Sequence, residues 1–269
     1  MKIRVSLSVV NFKERAMRIW KLEEWQGIND TDQDVLFFGL YTLHDFDAFW
    51  YHEGKKTVFW CGSDILNVMN SVEFRRRLKV FPKTEHYCET REEYDNLKQM
   101  GIETKIVPSF LEDINDFPIS YVHSDKPHIW MCAHPRREEE YGVDQFLKMA
   151  KLLPDYTFHI YGIYDWMGEE KTDNIIYHGQ VSNDVLNKEI RAYQCGFRGN
   201  KHEGFSEVLA KALFLGQYPV SFMPFEKIWN WKTDEQLYNQ LKRLKEMKDW
   251  NHEGYNYWKN NINKFPWMK

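Results

Sequence analysis

Short apolar runs alternate with amphipathic helical patterns along this chain, and they do so in two successive series. Strand-like runs fall at residues 3–10, 35–41, 57–61, 85–88 and 104–107. Helical periodicity follows the first run up to Trp25, covers 65–80, and covers 91–100 with Gly101 as its stop. The second series has strand-like runs at 129–133, 156–161, 175–178, 196–198 and 218–222. Helical patterns at 143–153, 183–193 and 205–215 lie between them, and 232–249 and 251–263 close the chain. Parallel strands need a crossover, and a helix is the usual one, so this rhythm predicts an α/β fold with parallel sheets. Residues 108–127 break the rhythm. They are rich in Asp, Ser and Pro and carry no helical period, which predicts an interdomain linker. The chain of 269 residues is long enough for two such domains. We expect two Rossmann-like, doubly wound domains facing a cleft, with ligands beyond the carboxyl ends of the strands.

Composition narrows the function classes. Hydrophobic residues make up 43% of the chain, enough for real cores, which excludes wholesale disorder. The net charge of −4 and the lack of a long basic run count against a non-specific polyanion binder. Arg75, Arg76 and Arg77 are the one basic triplet, and they sit inside a helical pattern. Most of the 11 Trp are expected in cores. Cys61, Cys88, Cys132 and Cys195 are far apart, form no CxxC pair and lie in or beside apolar runs. They read as free thiols in a reducing compartment. The opening MKIRVSLSVV is too short an apolar run for a signal peptide, and no apolar stretch is long enough to span a bilayer. These features give the expectation of a cytoplasmic protein. His44 and His134 fall at strand ends, but neither they nor Asp45 and Asp47 form a metal-ligand pattern.

The stretch HEGFSEVLAKALFLG, which begins at His202, is the most informative motif. Phe205, Val208, Leu209, Ala212 and Leu213 recur at helical spacing, so one face of this helix packs on a sheet. Gly204 in front of it has two readings. It makes a tight strand-to-helix turn, or it lets a ligand approach the unpaired N–H groups and positive dipole end of the helix. A diphosphate suits the second reading.

The order of elements from about His128 to Ser221 resembles the donor-binding domain of the GT-B glycosyltransferases, in particular the retaining family 4 type. The segments that carry the resemblance are MCAHPRREEEYGVDQFLKMAKLLP, FHIYG ending at Gly162, IIYHGQVSND with Gly179, Gln180 and Val181 at its turn, and EGFSEVLAK from Glu203 to Lys211. The first half resembles the family more thinly, in VFWCGSDIL and in HYCETREEYDNLKQMGIETKIVPSFL. The resemblance implies transfer of a sugar from a nucleotide-diphosphate sugar (a UDP- or GDP-sugar) to an acceptor, with retention. It implies no permanently bound cofactor and no metal, because such enzymes neutralise the diphosphate with protein cations and helix dipoles.

Carried over residue by residue, the resemblance makes Glu203 the contact to the donor sugar, Arg136 the diphosphate cation, and Arg137 its stand-in partner. Gly162, Val181, Gly204, Phe205, Ser206, Glu207 and Lys211 would line the nucleotide. Asp64 would stand at the cleft edge, or else only cap a helix. Two positions depart from the pattern: Tyr141 stands where the family has Lys, and Lys211 where it has the ribose-binding Glu. The implied organisation is an acceptor-side domain over 1–110, a linker over 111–127 and a nucleotide-sugar domain over 128–269. The last helix, about 250–263, would pack back on the N-terminal domain. The acceptor is open: glycan, lipid, protein or nucleic acid, with peripheral membrane contact as a further expectation. Two other readings stand beside this one. The chain is a degenerate GT-B-like binding or regulatory module, or it glycosylates nucleic-acid bases as some viral enzymes do.

Overall fold

The computed structural model describes residues 1–79, 83–164 and 172–268. The chain divides into two compact units. The first is Met1–Asp113 with His202–Phe205 and Asn261–Lys269; the second is Ile114–Lys201 with Ser206–Asn260.

The first unit holds β1 (Lys2–Val5), α1 (Lys13–Trp20), β2 (Glu23–Glu24), β3 (Val35–Phe38), α2 (Leu43–Tyr51) and β4 (Lys56–Phe59). It continues with α3 (Ser63–Asn70), α4 (Val72–Lys79), β5 (Glu85–Cys88), α5 (Arg91–Gln99) and β6 (Lys105–Ile106). The strands pair in the order β2-β1-β3-β4-β5-β6, and every pairing is parallel. Strand β3 is buried throughout, as a parallel strand covered on both faces should be. The aromatic content is used here. Trp20 packs within 5.2–5.4 Å of the Phe38, Phe59 and Phe265 rings, so the chain end is anchored in this core.

Three local readings need correction. The strand expected over 3–10 stops at Val5, because Ser6 turns the chain and accepts a hydrogen bond from Ser8 N into a short 3₁₀ helix, Leu7–Phe12. The single helix expected over 65–80 is two helices. Ser71 is extended between them, and its hydroxyl accepts from Phe74 N, capping the second; residue 80 lies outside the described residues. Helix α2 was hidden in LYTLHDFDAFWY. Its Thr42 and Asp45 form a capping box, and the Asp45 carboxylate also takes Arg4, Ser6 Oγ and Tyr41 N. Asp45 is therefore structural.

The second unit holds β7 (His128–Cys132), α6 (Glu138–Tyr141), α7 (Val143–Leu152), β8 (Thr157–Tyr161), β9 (Ile175–Gly179), α8 (Asn183–Glu189) and β10 (Cys195–Arg198). It ends with α9 (Glu207–Phe214), β11 (Val220–Ser221), β12 (Trp229–Asn230), α10 (Asp234–Lys242) and α11 (His252–Asn261). The strand order is β12-β11-β10-β7-β8-β9, again all parallel. Residues 108–127 are not a free tether. Ser109 is bound inside the first unit, while Ser120 N and Tyr121 N both donate to Leu215 O in the second.

A polar chain crosses this second sheet. His178 Nδ1 lies 3.3 Å from Glu189 Oε2. His178 Nε2 and His159 Nδ1 are hydrogen-bonded at 3.0 Å, and His159 Nε2 and His128 Nδ1 at 2.8 Å. Tyr161 OH donates to Glu189 as well, and Tyr193 OH adjoins both Tyr161 OH and His159 Nδ1. One carboxylate and two tyrosine hydroxyls thus join three histidine rings in a single polar chain. Burial pulls His159 down to about 3, and the two neighbouring rings pull the same way. A folded-state pKa below the unfolded value of about 6.5 means the unfolded chain binds more protons between those limits. The second unit should therefore lose stability as pH falls below roughly 6.5, by up to about 1.4 kcal/mol per pH unit for this group. Hydrogen exchange at pH 7.5 and pH 5, resolved by segment, checks this. Unchanged protection of β7, β8 and β9 at pH 5 would contradict it.

Candidate functional site

In the second sheet the chain starts at β7, runs outward through β8 and β9, then returns to the other side of β7 with β10. The switch point is between β7 and β10. In doubly wound sheets, ligands bind in the crevice beyond the carboxyl ends of the strands at that point. The loop after β7 carries His134 to Arg137, and β10 ends in Arg198. Gly142 and Gly199 bring these segments together. A Cβ on Gly199 would lie 2.7 Å from Gly142 Cα and from Tyr141 O, so both positions exclude side chains. The close approach sets the Arg198 guanidinium over the Tyr141 ring, 4.6 Å from its centroid. Arg198 Nη1 also lies 3.5 Å from Cys132 O at the end of β7. Burial raises the Cys132 thiol to about 11, while the Lys211 and Arg198 charges act to lower it and Glu207 to raise it. Cys132 is thus a common neighbour of these charges.

The residues expected around the nucleotide are placed as follows. Arg136 is exposed and has a positive φ of 78°, with its N–H donating to Glu138 Oε1. Such a conformation is uncommon for a non-glycine residue and clusters at functional loops. Arg137 is exposed and bonded to Glu140. Gly162 has φ +96°, and a Cβ there would stand 2.0 Å from Ala133 O, so the glycine is required by the β7 loop itself. Val181 is exposed at the turn after β9. Ser206 caps α9 by accepting from Val208 N, and Glu207 opens its first turn. Lys211 is 2% exposed and donates to Asn187 Oδ1 at 2.9 Å, with Phe117 5.9 Å away. It is a buried residue rather than part of a solvated helix face.

The first unit gathers a second group of functional residues. Glu89 is buried at the end of β5. Its Oε1 accepts from Ser109 N and Ser109 Oγ at 2.9 and 2.6 Å, and its Oε2 accepts from Phe205 N at 3.1 Å. A Cβ on Gly204 would lie 1.9 Å from Glu89 Oε2. The glycine of the Glu-Gly-Phe-Ser motif therefore admits the carboxyl of Glu89. Burial pushes Glu89 up to about 7 against the bonds from Ser109 and Phe205, and the Glu203 charge adds to the rise. Glu93 closes a capping box with Thr90, its Oε2 taking Glu89 N and Thr90 N, while its buried Oε1 has no hydrogen-bond partner among the described residues. Burial, then the Glu89 charge, hold it well above the carboxylate range. Asp64, fully buried, accepts from Leu40 N, Cys61 N and Ile65 N and is raised by burial to about 7.

Glu203 is half-buried. It lines a cavity of about 40 Å³ with Ser63, Thr90, Glu92, Glu93 and His202, room for water-sized groups. His202 Nδ1 lies 2.6 Å from Glu92 Oε1. The structure thus brings Asp64's turn together with Glu203, Gly204 and Phe205: a Cβ on Gly62 would be 3.3 Å from Gly204 N. Buried carboxyls that titrate near neutrality are groups able to hold or move a proton. Glu89 and Arg198 were missed by the sequence reading. The signal for Arg198 was a charge closing an apolar strand. For Glu89 the sequence showed only the start of a helix.

No family model matches the sequence, and no curated protein matches it. Solved structures do. The pneumococcal O-GlcNAc transferase GtfA, in complex with UDP and GlcNAc, is 14% identical; the match covers 87% of this chain and 55% of that one, with a TM-score of 0.55. The chain thus spans about half the length of that protein. The lipopolysaccharide outer core galactosyltransferase WaaB, in its apo form, is 13% identical over 96% of this chain and 78% of its own, with a TM-score of 0.60. HepE of Anabaena, in complex with UDP and glucose, is 12% identical over 84% and 73%, with a TM-score of 0.58. Two parallel six-stranded sheets, each flanked by helices, and these matches together give the chain the fold of the GT-B glycosyltransferases.

Proposed function

We propose that this protein transfers a sugar from a nucleotide-diphosphate sugar to an acceptor, with retention at the anomeric carbon. The observation that carries the reading is the shared fold, since two of the matched enzymes were crystallised with UDP and a sugar. The charged residues beyond β7 and β10 support it, because that is where such a fold receives a ligand. The donor is a UDP- or GDP-sugar held by the second half of the chain, and the acceptor side is the first. As the anomeric C–O bond to the diphosphate breaks, negative charge grows on the leaving oxygen. Fixed cations beside it lower that barrier without reorganisation. Arg136 is the cation we assign from the β7 loop, with Arg137 held back by Glu140. The acceptor hydroxyl loses its proton as its oxygen bonds the anomeric carbon, and the departing diphosphate takes that proton. No resident metal is invoked. Four cysteines free of disulfides fit a reducing, cytoplasmic setting, and no helix among the described residues is long and apolar enough to cross a membrane. The acceptor class stays open among glycan, lipid, protein and nucleic acid.

Glu203 is the test residue. We assign it to the donor sugar, through hydroxyl contacts that tighten as the ring becomes oxocarbenium-like. Glu203→Gln keeps the shape and removes the charge. It should cut turnover about a hundredfold while changing nucleotide affinity less than about threefold. Equal changes in both would show that Glu203 does not act on the transferred sugar.

A second reading, a binding module that has lost its chemistry, is favoured by two contacts. Glu89 already takes the Phe205 N–H, and Asn187 takes the Lys211 ammonium. A protein that binds a nucleotide sugar tightly and never turns it over would establish that reading.

A further inference from the structure

We propose that Glu89 is a positioning residue for Glu203, holding the loop His202–Phe205 so that the Glu203 side chain faces the cavity it lines. The inference rests on the reading of Glu203 as the contact to the transferred sugar, and adds the residue that sets it in place.

The loop His202–Phe205 is part of the first unit, though far in sequence from the rest of it. Residues 89–93, at the end of β5 and the start of α5, give it a seat. At the start of the loop, His202 Nδ1 lies 2.6 Å from Glu92 Oε1. At its end, Phe205 N donates to Glu89 Oε2 at 3.1 Å. Thr90, Glu92 and Glu93 line the same cavity as Glu203. One short segment thus meets the loop at both ends and faces the residue in its middle.

The seat is itself fixed. Glu89 is 8% exposed, and its Oε1 takes Ser109 N and Ser109 Oγ at 2.9 and 2.6 Å. Its backbone is held as well, since Glu89 N donates to Glu93 Oε2 at 2.7 Å within the capping box that opens α5. The carboxyl that meets Phe205 N is therefore anchored through its backbone and through its second oxygen. Satisfied buried networks of this kind are rigid and select one arrangement.

Two glycines set the fit. Gly204 leaves the space that the Glu89 carboxyl fills, since a Cβ there would lie 1.9 Å from Oε2. Gly62, between β4 and α3, lets a second segment come close. A Cβ on Gly62 would stand 3.3 Å from Gly204 N and 3.6 Å from Glu203 C. The backbone on the carboxyl side of Glu203 is thus bounded by the Gly62 turn and by the Glu89 carboxyl. An apolar contact would hold such a loop loosely, whereas a hydrogen bond to a backbone N–H fixes its register. Register matters for a group that acts on a reacting sugar, because a displacement of about 1 Å can cost about a hundredfold in rate.

The test uses the full chain and measures nucleotide release from the UDP- or GDP-hexose that the wild type consumes, with a thermal melt of each variant. Glu89→Asp shortens the side chain by one methylene, so it can keep Ser109 but not reach Phe205 N. It should lower kcat about thirtyfold, while the donor KM and the affinity for the bare nucleoside diphosphate change less than about threefold. The decisive readout is a double-mutant cycle. In a Glu203→Gln background, Glu89→Asp should lower kcat by no more than about threefold further, because a residue that acts through Glu203 then has little left to act through. If Glu89→Asp fails to fold, Glu89→Gln carries the same cycle. It keeps the length and exchanges one acceptor for a donor, and its loss in the wild-type background should be about fivefold. A loss of the same size in both backgrounds overturns the proposal, since Glu89 would then only support the fold. A wild-type kcat in the folded variant overturns it too. A wild-type protein that releases nucleotide from no donor overturns the functional reading, and this inference with it.

Discussion

Gly162→Val should prevent the second unit from folding stably. Gly162 follows β8 with φ +96°, a conformation that a β-branched residue almost never adopts. The added Cβ would also stand 2.0 Å from Ala133 O, a backbone atom that cannot swing aside. Strain and overpacking together should cost about 4 kcal/mol. That is a large part of the stability of an ordinary domain. Gly101→Val is the control. Gly101 also has a positive φ, of 76°, but a Cβ there meets nothing within 4 Å. It should cost roughly 1–2 kcal/mol, from backbone strain alone. Urea denaturation of the two variants checks the order. Similar losses for both would mean that the Ala133 contact is not what requires glycine at 162.

The second large effect is expected at Gly204, where the backbone conformation is ordinary and the obstacle is a carboxylate. Gly204→Ala would push a methyl group into Glu89, and Glu89 is held by Ser109 N, Ser109 Oγ and Phe205 N. Displacing it breaks bonds to a buried charge-bearing group, and the first unit should lose about 2–3 kcal/mol. In a Glu89→Ala background the same substitution should cost less than about 1 kcal/mol, because the space is then free. A double-mutant cycle by denaturant titration measures the difference. Additive costs would show that the two residues do not meet.

The carboxyls around this glycine give the first unit a pH response opposite to that of the histidine chain. Asp64 and Glu89 are both raised by burial to about 7. Between about pH 4 and pH 7 the folded state therefore binds more protons than the unfolded one, so stability falls as pH rises. The first unit should be steadier at pH 5 than at pH 8, while the second should be steadier at pH 7.5 than at pH 5.

The parts of the fold that depend on local pattern could be read from the chain. The apolar face of α9 and the longer strands of both sheets have signatures within a few positions, whereas the two-residue strands β2 and β12 have none and α3 is preceded by Gly62 rather than capped by Asp64. Local pattern failed where one polar residue overrode it. Ser71 splits a helix that hydrophobic periodicity alone runs through, because its hydroxyl offers Phe74 N a cap. Helix α2 was obscured because its aromatic and acidic residues carry little of the usual spacing, and its burial is decided by Phe46 and Phe49 meeting the sheet.

The candidate site was legible in part for a similar reason. Gly204 announces that something must come close. What fills the space is Glu89, which is 116 residues from its partner Phe205. No spacing rule reaches that far. The same holds at Tyr141: the guanidinium over its ring arrives from another strand, through a contact between two glycines.

The central claim is that the second unit receives a nucleotide-diphosphate sugar. The direct measurement is calorimetric titration of the intact protein with UDP- and GDP-hexoses, followed by assay of nucleotide release. One base series should bind saturably in the micromolar to about millimolar range, as is usual for enzyme substrates. The nucleoside diphosphate should be released when a suitable acceptor is present. Absence of binding to every nucleotide sugar at millimolar concentration, in protein shown to be folded, would contradict it.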